Sequence, residues 1–398
     1  MPKMKFGTFL APHHPIGENP LLQLQSDLEF AKHLDHLGFD EFWCGEHHST
    51  GWEVIASPEL FLAAVAERTH RIKLGTGVIS LPYHHPFMVA QRLVQLDYQS
   101  RGRVIFGSGP GALPSDAHTI GIDPMVLRSR HDEAIGVIKR LFSGERFSYE
   151  SEWFTLKDAK LQLRPLQEQM EFVVASTFSP SGMTLSGKYN TGVISIGGMA
   201  SQGLKSLARQ WEFAEESALK HNNQISRNNW RVLMSWHIAE TRDQARAEAK
   251  DGLFRHNNEY STAVLNPIDG KIFKTPDEAI DSTAFSEDST AVIGTPDDLI
   301  HKIQEMIEIT GGFGAVIGFA HDWANRENTK KSWDLVARYV IPAINSMLDD
   351  YRDSYNFVIN NRDTWLRAKD ARFKNVAQHE SAAKVLETEG LEGEKPKN

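Results

Sequence analysis

Apolar residues along this chain recur in two alternating rhythms. Residues 5–10 read as a short strand; residues 21–37 then place Leu24, Leu28, Ala31 and Leu34 at helical spacing, stopped by Gly38. A second apolar run, Glu41-Phe42-Trp43-Cys44, reads as a buried strand. Ser57-Pro58 opens the next helix, serine as cap and proline in its first position, and the helix runs on through Leu62, Val65 and Ala66. Strands follow at 72–80 and 103–106, with a helix over 86–98 between them. The alternation continues with a helix over 128–142, a strand over 172–175, a helix over 180–189 and a strand over 193–196. A helix over 202–221, strands over 232–238 and 315–319, and a helix over 330–347 complete it. Eight strands with parallel-type crossovers predict an α/β fold, a closed (β/α)8 TIM barrel in preference to an open doubly wound sheet.

Two segments break the rhythm. Residues 145–169, with Tyr149, Trp153 and Phe154, suggest a small hairpin. Residues 257–290 are polar and punctuated by Gly, Pro and Asp, an insertion after the seventh strand of the kind that forms a lid or binding loop. The barrel is expected to occupy residues 1–350, and 351–398 to form a helical or disordered extension.

Composition narrows the function. Hydrophobic residues at 40% and charged residues at 24% are those of an ordinary globular protein. A net charge of -9 with no basic run argues against nucleic-acid or anionic-membrane partners. One cysteine, Cys44, leaves no internal disulfide and fits a reducing cytoplasm, where it is expected as a packed, inert thiol. No long apolar stretch follows the first residues, so neither a signal peptide nor a membrane-spanning helix is expected.

The chemistry is expected just past the strands. Glu46-His47-His48 follows the second strand, and barrels carry their active residues at the carboxyl ends of strands. The plain alternative is one packed, hydrogen-bonded histidine beside a solvent-facing one. Two further pairs past strands, His13-His14 and His84-His85, argue against it. A zinc hydrolase would use the same rim. However, adjacent histidines diverge, so His47 and His48 do not suit one ion, and no metal is expected. The run Gly107-Ser108-Gly109-Pro110-Gly111 would let backbone approach a bound ring, and Ser179-Pro180-Ser181-Gly182 opens a helix whose free N–H groups suit a phosphate.

These residues resemble the bacterial luciferase-like flavin monooxygenases. Gly38-Phe39-Asp40-Glu41-Phe42-Trp43 with Glu46-His47-His48 begins the likeness. It continues through Leu74-Gly75-Thr76-Gly77-Val78, Leu81-Pro82, His85-Pro86, Leu96-Asp97, Ser100-Arg101-Gly102-Arg103 and Phe106-Gly107. Val173-Val174-Ala175-Ser176 and Val292-Ile293-Gly294-Thr295-Pro296 extend it. Within the family, residues 11–18 and 107–116 are most similar to limonene-epoxidising members.

The resemblance implies an enzyme that uses reduced flavin (FMN or FAD) and O2, through a flavin C4a-peroxide, to insert one oxygen into a small hydrophobic substrate, here by terpene epoxidation. NAD(P)H would act through a separate flavin reductase. Other chemistries of the same scaffold stay open: Baeyer–Villiger or aldehyde oxygenation, deazaflavin-dependent hydride transfer, or flavin binding without catalysis. By the same resemblance His47 is the active-site histidine, flanked by Glu46 and His48. Gly77-Val78 falls where members often have a cis peptide beside the flavin, and Gly109 under the ring edge. Pro110 and Ser176 replace luciferase's charged phosphate clamp, so Ser176, Thr177, Ser179, Ser181 and Gly182, next to Ala175, are the expected phosphate cradle. His13, Trp43, Tyr83, Phe178 and Trp236 are the expected substrate pocket. A homodimer is expected through the early helices, around 62–65 and 89–96.

Overall fold

The computed structural model describes residues 3–177, 179–196, 201–266, 268–287, 289–378 and 384. In chain order it begins β1 (Lys5–His13), α1 (Pro20–Leu37), β2 (Glu41–Cys44), α2 (Pro58–Ala66), β3 (Lys73–Thr76) and β4 (Ile79–Ser80). Then come α3 (Pro86–Gln99), β5 (Val104–Gly109), α4 (Pro114–Ile120), α5 (Leu127–Phe142), a hairpin of β6 (Phe147–Glu150) and β7 (Thr155–Ala159), and β8 (Glu171–Ser176). The second half holds α6 (Ser181–Tyr189), β9 (Gly192–Ser195), α7 (Ser201–Lys220), β10 (Trp230–Met234), β11 (Trp236–Ile238) and α8 (Arg242–Arg255). It ends with α9 (Pro276–Ala284), β12 (Val292–Gly294), α10 (Pro296–Thr310), β13 (Ala315–His321), α11 (Arg326–Leu335), α12 (Ile341–Ile344), α13 (Asp349–Asn360) and α14 (Arg362–Ala377).

The parallel sheet runs β3-β2-β1-β13-β10-β9-β8-β5-β4 and closes because β3 also pairs with β5, Leu74 opposite Val104. β3 and β4 are one barrel strand interrupted at the cis Gly77–Val78 peptide, so the predicted strand over 72–80 is broken there. The result is the (β/α)8 barrel. Helix ends follow local chemistry. Asn19 caps α1 by accepting the Leu21 N–H at 3.0 Å, and Gly38, at φ 90°, ends it in a left-handed turn that glycine adopts without strain. Thr295 and Asp298 cap α10 reciprocally.

Strand alternation sorts side chains to two faces. Phe9, Trp43, Ile105, Val173, Ile194, Leu233 and Ile317 fill the barrel. Phe6, Phe42, Leu74, Phe106, Trp230 and Val316 face the helices. Trp43 is wholly buried, and its indole N–H donates to Glu41 at 3.0 Å, toward the strand starts. Gly75 makes room for that indole: a Cβ there would lie 2.4 Å from it. Trp43 is therefore barrel filling rather than pocket wall. The strand starts are closed by ions. Arg231, buried in β10, donates to both Glu41 oxygens at 2.7 and 2.9 Å and also pairs with Glu171, which Lys73 meets from the other side.

Three expectations are corrected. The predicted strand over 232–238 bends at Ser235, and its second half, β11, pairs with β12 instead of the barrel. That bend turns Trp236 outward, against the open face of Gly318 and the Trp333 ring (centroids 4.9 Å apart), so Trp236 is core outside the barrel rather than a wall of its mouth. The segment 257–290 is no polar loop: α8 continues as a π-helix (His256–Leu265), and α9 follows. Finally, Leu62, Val65, Val89 and Leu93 are fully buried in this barrel's own core, and in α2 and α3 it is instead Leu60 and Met88 that are exposed.

The chain divides into two compact units, one reaching Asn345 and one beginning at Ser346. The second holds α13 and α14, in which Phe357 and Trp365 meet edge to face at 5.4 Å. Among the described residues no helix is long and apolar enough to cross a membrane.

Candidate active site

The loop after β2 carries Glu46, His47 and His48, and the three side chains diverge. His47 Nδ1 lies 2.9 Å from Asp116 Oδ2, and its Nε2 lies 3.3 Å from Glu53 Oε2. Burial alone would lower the pKa of His47, but the Asp116 hydrogen bond and the charges of Glu53, Asp116 and Glu46 outweigh it, and the net shift is upward. Asp116 is held low despite burial by hydrogen bonds from His47, Ser49 and the His48 backbone. α4 delivers Asp116 to this point from the loop after β5.

Glu46 does different work. It is buried, and one oxygen accepts from His48 Nε2 at 2.9 Å and His84 Nε2 at 2.8 Å; the other takes the Ser80 N–H at 3.0 Å. Those bonds keep its carboxyl below the ordinary range although burial opposes this, and they raise the pKa of His48. Glu46 thus ties the β2 loop to β4, and His48 stands as its partner. The trio has metal-ligating types close together, but every one of them is already hydrogen-bonded. Tyr83 lies beside His48, ring centroids 5.9 Å apart. Its phenol is pushed up to about 12 by burial and by the charges of Asp116 and Glu46, and its hydroxyl has no partner among the described residues.

From His47 a shelf of small residues leads around the rim. A Cβ on Gly45 would lie 3.6 Å from the Gly77 carbonyl. One on Gly109 would lie 2.6 Å from Val78 and 3.8 Å from Ala175. Val78 and Ala175 are half-buried. Ala175 leads to Ser176, whose buried hydroxyl has no partner among the described residues. α6 starts against it: a Cβ on Gly182 would sit 2.3 Å from the Ala175 carbonyl. No side chain caps α6, and the Ser179 and Ser181 hydroxyls lie 2.8 Å apart at its start, with Thr177 exposed before it. An orphaned hydroxyl, two more hydroxyls and an uncapped helix start suit a phosphate monoester. Phe178 and the pair Gly197-Gly198 lie outside the described residues.

Across the mouth, His13 Nε2 lies 3.4 Å from Glu53 Oε1, so one buried carboxylate joins His13 and His47. Tyr260, from the π-helix, donates its hydroxyl to Glu53 at 2.6 Å. His14 turns outward instead, between Asp27 at 2.9 Å and Asp322 at 2.6 Å, and joins β1 to α1. A cleft of about 1030 Å3 between α5, the hairpin and α6, lined by Arg130, Glu133 and Trp153, holds none of the rim histidines.

Sequence reasoning missed Glu53, Asp116, His256, Tyr260 and His321. Glu53 and Asp116 had a faint signal: both are acids in the segments between a strand and the next barrel helix, Glu53 in a loop and Asp116 in the first turn of α4. The other three come from the π-helix and from the far end of β13, with no local spacing to connect them.

The model of the luciferase-like monooxygenase family matches residues 4–312, and this chain belongs to that family. It is 44% identical over 362 residues to the 4-hydroxyprotoasukamycin monooxygenase of Streptomyces nodosus subsp. asukaensis, covering 90% of this chain and 97% of that one. It is 41% identical over 387 residues to the limonene 1,2-monooxygenase of Rhodococcus erythropolis, covering 97% of each. Among solved structures, the oxygenating constituent of 3,6-diketocamphane monooxygenase from Pseudomonas putida, in complex with FMN, shares the fold. Its TM-score is 0.72 at 24% identity, over 85% of this chain and 98% of that one.

Proposed function

We propose that this chain is the oxygenating component of a two-component flavin monooxygenase of the cytoplasm. It would take reduced FMN from a separate NAD(P)H-dependent reductase and use O2 to epoxidise a small, largely apolar ring substrate of the limonene type. The observation that carries this reading is the orphaned Ser176 hydroxyl beside the uncapped start of α6, on the same rim as His47, whose pKa, against the effect of burial, is raised by Asp116 and Glu53. Bound flavin supplies the electrons and activates O2. The phosphate would be held by Ser176, Thr177, Ser179, Ser181 and the Gly182 amide, and the ring would lie along Gly77, Val78, Gly109 and Ala175.

His47 keeps a proton at Nε2, with Asp116 fixing the ring through Nδ1. A proton held there favours electrophilic oxygen transfer to an alkene over the nucleophilic attack that a ketone oxygenation needs. Glu46 and His48 position the loop that carries His47. His13 and Tyr83 line the substrate side.

Fluorescence titration with reduced FMN under anaerobic conditions tests the cradle. The wild-type chain should bind, and Gly182→Val should lose at least about 10-fold in affinity, because its side chain must displace the Ser176 backbone. Equal affinity would remove the cradle, and tighter binding of FADH2 would change the flavin. A homodimer is part of the same reading, with the acidic start of α13 (Asp349, Asp350, Asp353) meeting the basic residues of the partner's α14. Light scattering should give twice the mass of the chain in dilute salt and a single chain's mass at high salt.

A further inference from the structure

We propose that His13, His256 and His321 form a polar end of the substrate pocket and receive a hydroxyl carried by the ring substrate. This rests on the monooxygenase reading above and adds a substrate class to it: an oxygenated alkene ring rather than a plain hydrocarbon.

The three imidazoles come from β1, the π-helix and β13. Their ring centroids are 5.1 Å (His13–His256), 5.2 Å (His256–His321) and 5.8 Å (His13–His321) apart. Aromatic walls surround them: Tyr260 lies 4.5 Å from His13, and Trp323 lies parallel to His321 at 4.0 Å. His13 is only 8% exposed, yet its Nδ1 has no partner among the described residues. The same holds for His321 Nδ1 and for both nitrogens of His256. Buried polar nitrogens are nearly always hydrogen-bonded, so a group of unpaired ones marks a place for a ligand.

The outer nitrogens decide which ligand. His13 Nε2 faces the Glu53 carboxylate at 3.4 Å, and only an N–H suits that contact. Nδ1 is the nitrogen left for a ligand. His321 Nε2 is paired with the Ser235 hydroxyl at 2.9 Å, and the His321 Nδ1 is again the free atom. Burial pushes the pKa of His256 down to about 3 and that of His321 well below its ordinary value, so both are neutral rings, each with one donor and one acceptor nitrogen. A hydroxyl both donates and accepts, so it can pair with His13 Nδ1 and with a nitrogen of His256 together; a hydrocarbon would leave all of them unpaired. A site built to bind a hydroxyl discriminates strongly against the analogue that lacks it. Glu53 places this end one carboxylate away from His47.

Carveol and limonene share a skeleton and differ by one hydroxyl. Binding of each to the flavin-free protein, followed by tryptophan fluorescence, tests the inference without turnover. Carveol should bind at least about 10-fold tighter. In His256→Phe and His321→Phe, with unchanged circular dichroism, that preference should fall toward one while limonene binding holds or improves. Equal binding of the two by the wild-type protein overturns the proposal, as does a preference that survives both substitutions. Uptake of one zinc per chain, lost in both variants, overturns it too, since the three imidazoles would then be metal ligands. Oxygen transfer is read separately. Preferential carveol binding with no oxygenated product from either compound would refute the monooxygenase reading and leave the pocket assignment standing.

Discussion

Replacing His47 with Ala should lower the yield of oxygenated product by about 10²- to 10⁴-fold, the range ascribed to a positioned acid or base. Reduced flavin should still bind and still react with O2, so the lost product should appear as hydrogen peroxide. The expectation rests on where His47 is held: Asp116 at Nδ1 fixes the ring, and Nε2 has only the longer 3.3 Å contact to Glu53. With the ring so fixed, the Nε2 side, which has only that longer contact, is the one left to meet a reacting oxygen. The sign of the pH dependence follows. The folded pKa of His47 lies above the ordinary 6.5, so the protonated form, and with it activity, is lost as pH rises through that raised value. Asp116→Asn removes the charge that raises it. The alkaline limb of the rate profile should therefore move to lower pH, with flavin affinity unchanged. A limb that moves upward, or a His47→Ala enzyme that stays coupled, would exclude His47 as the proton holder.

Replacing Arg231 with Met should cost about 3–5 kcal/mol, the penalty typical of stranding a buried charge. The midpoint of thermal unfolding should fall on the order of 10 °C. Arg231 is 1% exposed and Glu41 wholly buried, and the guanidinium takes both Glu41 oxygens while stacking 5.4 Å over Trp43. The same cation, with Lys73, holds the Glu171 carboxyl down at about 2 against the effect of burial. Without Arg231, Glu41 keeps only Lys5 at 3.9 Å and the Trp43 N–H. Adding Glu41→Gln to Arg231→Met should recover part of the loss, because the uncompensated charge goes with it. Differential scanning calorimetry of the single and double variants reads both effects; equal midpoints for wild type and Arg231→Met would show that the network carries no such energy.

Much of the barrel was legible from the chain because buried parallel strands are short apolar runs between amphipathic helices. The strand at 41–44 emerges with the same limits that the apolar run predicts. What was not legible depends on direction and on distance in sequence. Trp43 and Trp236 both sit in strands, but composition does not say that one points down the barrel and the other, after the bend at Ser235, points outside it. The segment after β11 reads as a loop because only one side of its π-helix is apolar or buried, the side that presents His256 and Tyr260. At the site, Glu46-His47-His48 was visible because the three residues are contiguous. Glu53, Asp116 and His321 reach the same rim from three separate loops and strands, and only the closed barrel brings them together. The family resemblance pointed to the phosphate cradle. The fold adds one local fact about that segment: Gly182 lets α6 begin against Ser176.

Oxygen transfer from O2 at this rim leaves a mark in the product. Supplying the purified chain with reduced FMN from a flavin reductase, isotope-labelled O2 and carveol, and weighing the product by mass spectrometry, tests it most directly. An epoxide carrying one labelled oxygen per molecule is expected, at a yield that collapses in His47→Ala. Full conversion of O2 to peroxide with no labelled product, or product that takes its oxygen from water, would contradict it.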